Sequence, residues 1–483
     1  MKTKKSQFLF LLLGSMLCNI NVLANETIKF TCQVASEANT QKYFSIAATN
    51  GKQFTVDWGD DSGIETITGI GNLSEIGHTY TYNIDTDDYT VIITGVTEDC
   101  LFTDFACTSS QLIDLDLSKA ISLTFLDCIN NQLTELDLCA NTELKYLVCS
   151  YNQLTNLDLR ANAKLLDLSC SSNLFSGLNL SGCTALQHLS CCNSPLSTLD
   201  LSGCTALRYL YCYNNRLTDL DLRTNTKLQS LGCYENLLTG LDLRANTQLQ
   251  SLGCYNNQIT VLELNANTQL QVLVCYNNNL QLTDLYAASK KISEQNNKLL
   301  GMQILSPWEV TAGIPIDYST QREFGGVATS FTVEKNDLPA PSIDYTISNG
   351  IITFNNTGIY TVSMTNSAIV SHENHPARVI IEFDVAENTD IANSAAGAIS
   401  IYPNPTSGRL TIVHKQTAFG QNQLSIGDIA IFDTMGKKQL SIANWLRPNA
   451  VCPLSIHQID ISHLPAGTYY LQAAGEVKKI VKK

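Results

Sequence analysis

Between residues 107 and 275 apolar and polar positions recur on a 21-residue beat. One period runs Leu144-x-x-Leu147-x-Cys149-x-x-Asn152-x-Leu154-x-x-Leu157-x-Leu159. Cysteine returns without a slip at Cys107, Cys128, Cys149, Cys170, Cys191, Cys212, Cys233, Cys254 and Cys275. A single 21-residue coil cannot bury its own leucines, but stacked coils share one apolar interior. The pattern therefore predicts a mainly β solenoid of nine coils, eight complete and a ninth begun at Cys275. Each coil gives a short strand around Leu147-Val148-Cys149, and the strands pair in parallel about 4.8 Å apart. Asn131, Asn152, Asn173, Asn215, Asn236, Asn257 and Asn278 fall where the chain leaves the strand. A buried amide there can satisfy the turn and the neighbouring coil. Ser110 and Ser194 interrupt that column.

The period is that of the leucine-rich repeat, with cysteine in its third apolar position. Run in sequence, as in Cys149-Ser150-Tyr151-Asn152-Gln153-Leu154, it resembles the internalin-J-type repeat proteins over residues 107 to about 280. That resemblance implies a curved solenoid and a surface binding role, and it transfers no ligand. The cysteines read as small, weakly polar core packing with inert buried thiols. One ligand per coil makes a poor metal cluster, and parallel side chains hold the Cβ atoms too wide for disulfides. Cys183 and Cys204 share another repeat position and are candidates for a lateral pair. Cys32 and Cys100, which bracket the preceding segment, are the better disulfide candidates.

Around the solenoid the period changes to two. Alternation in Phe54–Trp58 and Tyr89–Ile93 predicts strands. Val56-Asp57-Trp58-Gly59-Asp60-Asp61-Ser62, His78-Thr79-Tyr80 and Tyr89-Thr90-Val91 resemble the PKD-type β-sandwich. Asp57, Asp60 and Asp61 read as turn-formers before a calcium site. This segment, 25–100, is expected to shield the first coil. A solenoid with its C-terminal cap follows over 101–300, with a short closing helix expected over 287–298. Strand patterning over 301–386 predicts a second, Ig-like β-sandwich. There His372 and His375 enclose Glu373 and Asn374, which is not a metalloprotease spacing.

Small and polar residues 387–398 read as a linker. Beyond it, Ile401 to Ile412 and Leu464 to Leu471, ending in Lys482-Lys483, resemble the C-terminal sorting domain of the Bacteroidetes type IX secretion system. That resemblance covers 399–483 and implies that the type IX machinery carries the chain across the outer membrane to the cell surface. At the other end, Lys2, Lys4 and Lys5 precede the apolar run Phe8–Leu13, and Val22-Leu23-Ala24 suits signal peptidase. Residues 1–24 are thus expected to be removed. Leu17 before Cys18 does not fit a lipidation site. No other apolar run reaches the roughly 18 residues of a membrane helix.

Composition adds an exclusion. The formal charge of −14 becomes −17 once the three lysines of the signal are gone. Acid excess argues against nucleic acid, which needs basic patches. No G-x-S-x-G, H-E-x-x-H or phosphate loop is present, so the chain reads as a binder and not an enzyme, with no cofactor and no metal.

The binding surface is expected on the concave strand face. The position after the ladder cysteine holds Thr108, Ile129, Ser150, Ser171, Cys192, Tyr213, Tyr234, Tyr255 and Tyr276. Tyr209, Tyr211, His188 and Tyr146 extend the patch. Rigid amphipathic rings suit recognition of proteins or glycans on host or bacterial surfaces. An aromatic column also stabilises a parallel sheet, so the same tyrosines serve a structural reading too. Asp116, Asp137, Asp158, Asp200, Asp221, Asp242 and Glu263 form a further column, read as a solvated stripe. Host attachment, invasion or biofilm adhesion is the leading expectation, and capture of surface glycan or polymer the alternative.

Overall fold

The computed structural model describes residues 25–34, 40–81 and 88–387, together with seven strands between residues 399 and 482. The expected signal segment 1–24 and residues 388–398 of the expected linker lie outside the described residues.

The 21-residue period becomes eight three-residue strands: Phe125–Asp127, Tyr146–Val148, Asp167–Ser169, His188–Ser190, Tyr209–Tyr211, Ser230–Gly232, Ser251–Gly253 and Val272–Val274. Their register advances by one period per strand, so Leu147 lies opposite Leu168 and Leu168 opposite Leu189. All pairs are parallel. The central leucines and the nine ladder cysteines are buried. Each strand is short because the chain turns two residues past the cysteine, at a left-handed residue such as Asn130 (φ 58°), Asn214 (φ 53°) or Asn277 (φ 52°). Asparagine tolerates that conformation, which explains its frequency there.

The first asparagine column works as its position predicts. Asn152 Nδ2 donates to Cys128 O (2.9 Å), Cys149 O (3.1 Å) and Ser150 O (3.4 Å), and its Oδ1 accepts from Leu133 N (3.0 Å). One side chain thus ties its own turn to the coil before it. A second column went unread in the sequence: Asn141, Asn162, Asn225, Asn246 and Asn267 are fully buried. Asn162 Nδ2 donates to Leu138 O (3.2 Å) and Asn141 O (2.9 Å). Cys183 and Cys204 occupy that same column. Their thiols point to Leu159 O and Leu180 O, each at 3.8 Å, in the asparagine's role. They are free thiols and not a lateral pair.

The N-terminal segment is fused to the solenoid through both of its sheets. Phe102–Ala106 pairs in parallel with Phe125–Asp127 and antiparallel with Gln41–Ala48. Thr27–Gln33 pairs with Asp88–Gly95 on one side and Leu112–Asp116, a strand of the first coil, on the other. Phe30, Phe44 and Phe105, with centroids 5.9–6.0 Å apart, close the open end of the first coil above Cys107. Cys32 and Cys100 are not brought together. Cys32 faces Tyr89, whereas Cys100 packs beside Gly95, six residues further along the same strand. That is about 20 Å, far beyond disulfide reach. Both are buried free thiols, and burial pushes Cys32 up to about 11.

At the far end the helix spans Leu282–Lys291, earlier than its expected position. Asp284 Oδ2 accepts from Gln281 N (3.1 Å) at its start, and Leu282, Leu285 and Ala288 face the core. Buried Lys298 then donates to Ser289 O (2.9 Å) and Ile292 O (2.6 Å), so a cation sits on the carbonyl end of the helix. Beyond it Gln303 continues the ladder, its amide donating to Cys275 O (3.1 Å) and Leu300 O (2.7 Å). Five strands follow in the order Met302–Thr311, Arg378–Ala386, Gly358–Thr365, Ser330–Lys335, Leu338–Pro339. A three-stranded sheet of Pro315–Asp317, Ile351–Phe354 and Tyr345–Ser348 accompanies them, with Phe354, Tyr360, Val362, Val379, Ile381 and Phe383 buried. The seven described strands between residues 399 and 482 form two further antiparallel sheets, of three and four strands.

Candidate binding face

Three residue columns look outward from the parallel sheet. Two flank the buried central leucine, and the third follows the ladder cysteine. Their chemistry is uneven along the solenoid.

In the middle coils the column before the leucine reads Tyr146, Asp167, His188, Tyr209, each paired in register with the next. Together with Leu166, Gln187 and Tyr211 these residues line a hollow of ≈ 380 Å³. His188 Nδ1 lies 2.8 Å from Asp167 Oδ2, and its ring meets Tyr209 and Tyr211 edge-on, at 6.1 and 5.8 Å. Tyr209 Oη donates to Gln229 Oε1 (3.1 Å). Tyr146 and Tyr209, at the two sides, are 45% and 41% exposed. The hollow therefore joins four residues expected from the sequence, Tyr146, His188, Tyr209 and Tyr211, with three that were not. Asp167 could have been found: it occupies the column of Tyr146, His188 and Tyr209.

Towards the C-terminal end the third column becomes a stack of rings. Tyr213 and Tyr234 lie 4.3 Å apart at 8°, Tyr234 and Tyr255 4.3 Å at 9°, and Tyr255 and Tyr276 4.6 Å at 20°. Those spacings follow the strand separation. His375, from the segment before Arg378–Ala386, extends the stack at 5.6 Å and 9°. No pattern in the sequence pointed to it, because it comes from a loop about a hundred residues away. Burial raises the phenols of Tyr255 and Tyr276 above their ordinary value, and the neighbouring Cys192 does so for Tyr213.

Stack and hollow meet over Gly232. A Cβ at Gly232 would stand 3.0 Å from the Tyr211 ring and 3.7 Å from the Tyr234 ring. Absence of a side chain there lets the two rings approach, and one aromatic surface runs from Tyr146 to His375.

The other expected features are structural in their geometry. Ladder thiols are raised by burial, Cys149 and Cys233 to about 12, which keeps them protonated and unreactive. The outer aspartates close turns: Asp158 Oδ1 accepts from Arg160 N (3.1 Å), and Asp221 and Asp242 do the same for Arg223 and Arg244. Asp57 and Asp60 accept from Gly59 N and Ser62 N, and Asp60 Oδ2 lies 2.6 Å from His78 Nε2. Among the described residues no three His, Cys, Asp or Glu converge on a point where a metal could sit.

Residues 400–483 match the family model of the secretion system C-terminal sorting domain. The chain carries a secretion sorting domain. It is thus a secreted, cell-surface protein, and no helix among the described residues is long and apolar enough to cross a membrane. Among solved structures, the functional domain of InlJ from Listeria monocytogenes, which includes a cysteine ladder, is 22% identical; the match covers 59% of this chain and 81% of that one, with a TM-score of 0.28. An internalin, InlF, from Listeria monocytogenes is 21% identical over 42% of this chain and 80% of its own, with a TM-score of 0.25. TLR13 in complex with ssRNA13 is 22% identical over 40% and 30%, with a TM-score of 0.30. No curated protein matches the chain. The sorting domain thus follows the cysteine-laddered solenoid described above.

Proposed function

We propose that this secreted protein is an adhesin-like surface binder, which engages a protein partner through the aromatic strand face of its solenoid. The observation that carries the reading is the run of aromatic side chains from Tyr146 to Tyr276, exposed at Tyr146 and Tyr209 and half-buried along the stack, held on a parallel sheet. Rings that are already ordered lose little entropy on binding, and Tyr is enriched among the residues that dominate protein interfaces. Host-cell attachment, invasion and biofilm cohesion are the settings in which a secreted binder of this kind works.

Ring geometry favours protein over glycan. Sugars dock on ring faces, but in the column Tyr213 to Tyr276 the inner faces are consumed by their neighbours at 4.3–4.6 Å. Edges and hydroxyls remain, which suit a protein surface.

The test is attachment of the purified secreted chain to host cells and to the producing bacterium, beside a Tyr146→Ala, Tyr209→Ala, Tyr211→Ala triple variant with unchanged circular dichroism. Saturable attachment lost in the variant supports the reading. Equal attachment by this variant and by a second one with Tyr213, Tyr234, Tyr255 and Tyr276 changed to Ala moves the site off the strand face and overturns it.

A further inference from the structure

We propose that the hollow at Tyr146, Asp167, His188, Tyr209 and Tyr211 receives a cationic side chain, arginine before lysine, from the protein partner. This deepens the reading above and rests on it.

The charge of the strand face comes first. From residue 104 to residue 276 the three outward columns hold three acids, Asp104, Asp127 and Asp167, and neither lysine nor arginine. Lys145 and Arg208 stand one position further out, on the rim. Within the three columns the fixed charge is negative alone, which favours a cation over an anionic group at their centre, while the two rim cations lie outside them.

Local geometry narrows the class. Asp104 Oδ2 is engaged by Thr103 Oγ1 at 2.6 Å, and Asp127 Oδ1 by Ile129 N at 3.0 Å, in both cases outside the hollow. Asp167 alone lies in the hollow. His188 Nδ1 donates to its Oδ2, which fixes the carboxylate plane and leaves Oδ1 without a hydrogen bond among the described residues. The rings of Tyr146, His188, Tyr209 and Tyr211 line the same hollow, those of Tyr146 and His188 in the coils on either side of Asp167. A single oriented carboxylate sharing a hollow with aromatic side chains matches a cation twice, by charge and by the negative ring faces. Guanidinium is favoured because it is weakly hydrated, stacks on aromatic faces and donates in a fixed direction. The tips of Tyr209 and Tyr211 are already bonded to Gln229 and Ser230, so they are held as walls and do not compete for Asp167.

Saturation-transfer NMR on the full secreted chain tests this, with N-acetyl-arginine amide, the lysine analogue and the neutral isostere citrulline amide as probes. The expected result is transfer to the arginine side-chain methylenes, weaker transfer to lysine and none to citrulline. D167N should reduce arginine affinity about tenfold, the value of one charge-assisted hydrogen bond, with the thermal midpoint unchanged. Equal binding of citrulline, or full binding by D167N, overturns the proposal. So does competition by a neutral chito-oligosaccharide that is indifferent to D167N, which would make the hollow a sugar platform. If the tyrosine triple variant loses cell attachment while D167N keeps it, the protein-binding reading survives and the cation assignment falls.

Discussion

Replacing Asn152 with alanine isolates what holds one coil to the next. Three carbonyls lose a donor in this variant, yet none is abandoned. Cys128 O keeps Asn131 Nδ2 (3.0 Å), Cys149 O keeps Asn173 Nδ2 (3.0 Å) and Ser150 O keeps Asn130 N (3.0 Å). Leu133 N–H is different. It donates to Asn152 Oδ1 at 3.0 Å, in the interior, and has no second acceptor. An orphaned buried N–H costs about 1–3 kcal/mol, and each carbonyl that falls from two donors to one costs about 0.5 kcal/mol. Together they predict a loss of about 3 kcal/mol. The assay is urea unfolding followed by circular dichroism, with Trp58 and Trp308 fluorescence reporting the two flanking modules. Exposed Asn156→Ala, two positions beyond the buried Leu154, is the control. Amide exchange at Leu133 should accelerate more than at Leu154, whose own asparagine, Asn173, is intact. A loss below about 0.5 kcal/mol, equal to the control, would refute the orphan argument.

Four further outcomes follow from the same geometry. Ser194→Asn should fill the gap in the first ladder, adding donors for Cys170 O and Cys191 O and raising stability by about 1 kcal/mol in the same urea assay; an unchanged midpoint would mean the turn is already satisfied. Tyr234→Ala removes two stacked contacts, at 4.3 Å each, and should cost about 1–3 kcal/mol, while Tyr234→Phe costs little. Brief iodoacetamide treatment of the native protein should modify Cys139, the exposed cysteine among those described, and spare Cys107, Cys149, Cys233 and Cys275, which burial pushes up to about 12; mass-spectrometric detection of native labelling at Cys149 would contradict it. Burial raises the Asp127 carboxyl, so the fold binds its proton more tightly than the unfolded chain does and ionisation costs stability at neutral pH. Asp127→Asn keeps the acceptor for Ile129 N and should raise the urea midpoint at pH 7, with no gain at about pH 3, where both states are protonated.

The sequence by itself determined the solenoid. A strict 21-residue recurrence of leucine, cysteine and asparagine leaves one economical burial, in which identical positions stack, so Leu147 could be placed over Leu168 and Asn152 in its turn. It also placed the tyrosine column, because outward positions repeat with the same period. What it misread were contacts with no period. The buried ladder of Asn141, Asn162 and Asn225 escaped notice because Ala120 opens its column and Cys183 and Cys204 interrupt it, and the two cysteines invited a disulfide reading when their role is to stand in for asparagine. Cys32 and Cys100 bracket a segment in sequence, but the fold sets them beside opposite ends of the strand Asp88–Gly95. Only the tertiary structure merged the N-terminal module with the first coil through both sheets, and only it brought His375 under Tyr276. Asp167 became a candidate binding group for the same reason. A column of side chains is legible from spacing, whereas the hollow between Tyr146 and Tyr209 depends on how far neighbouring coils let the rings stand apart.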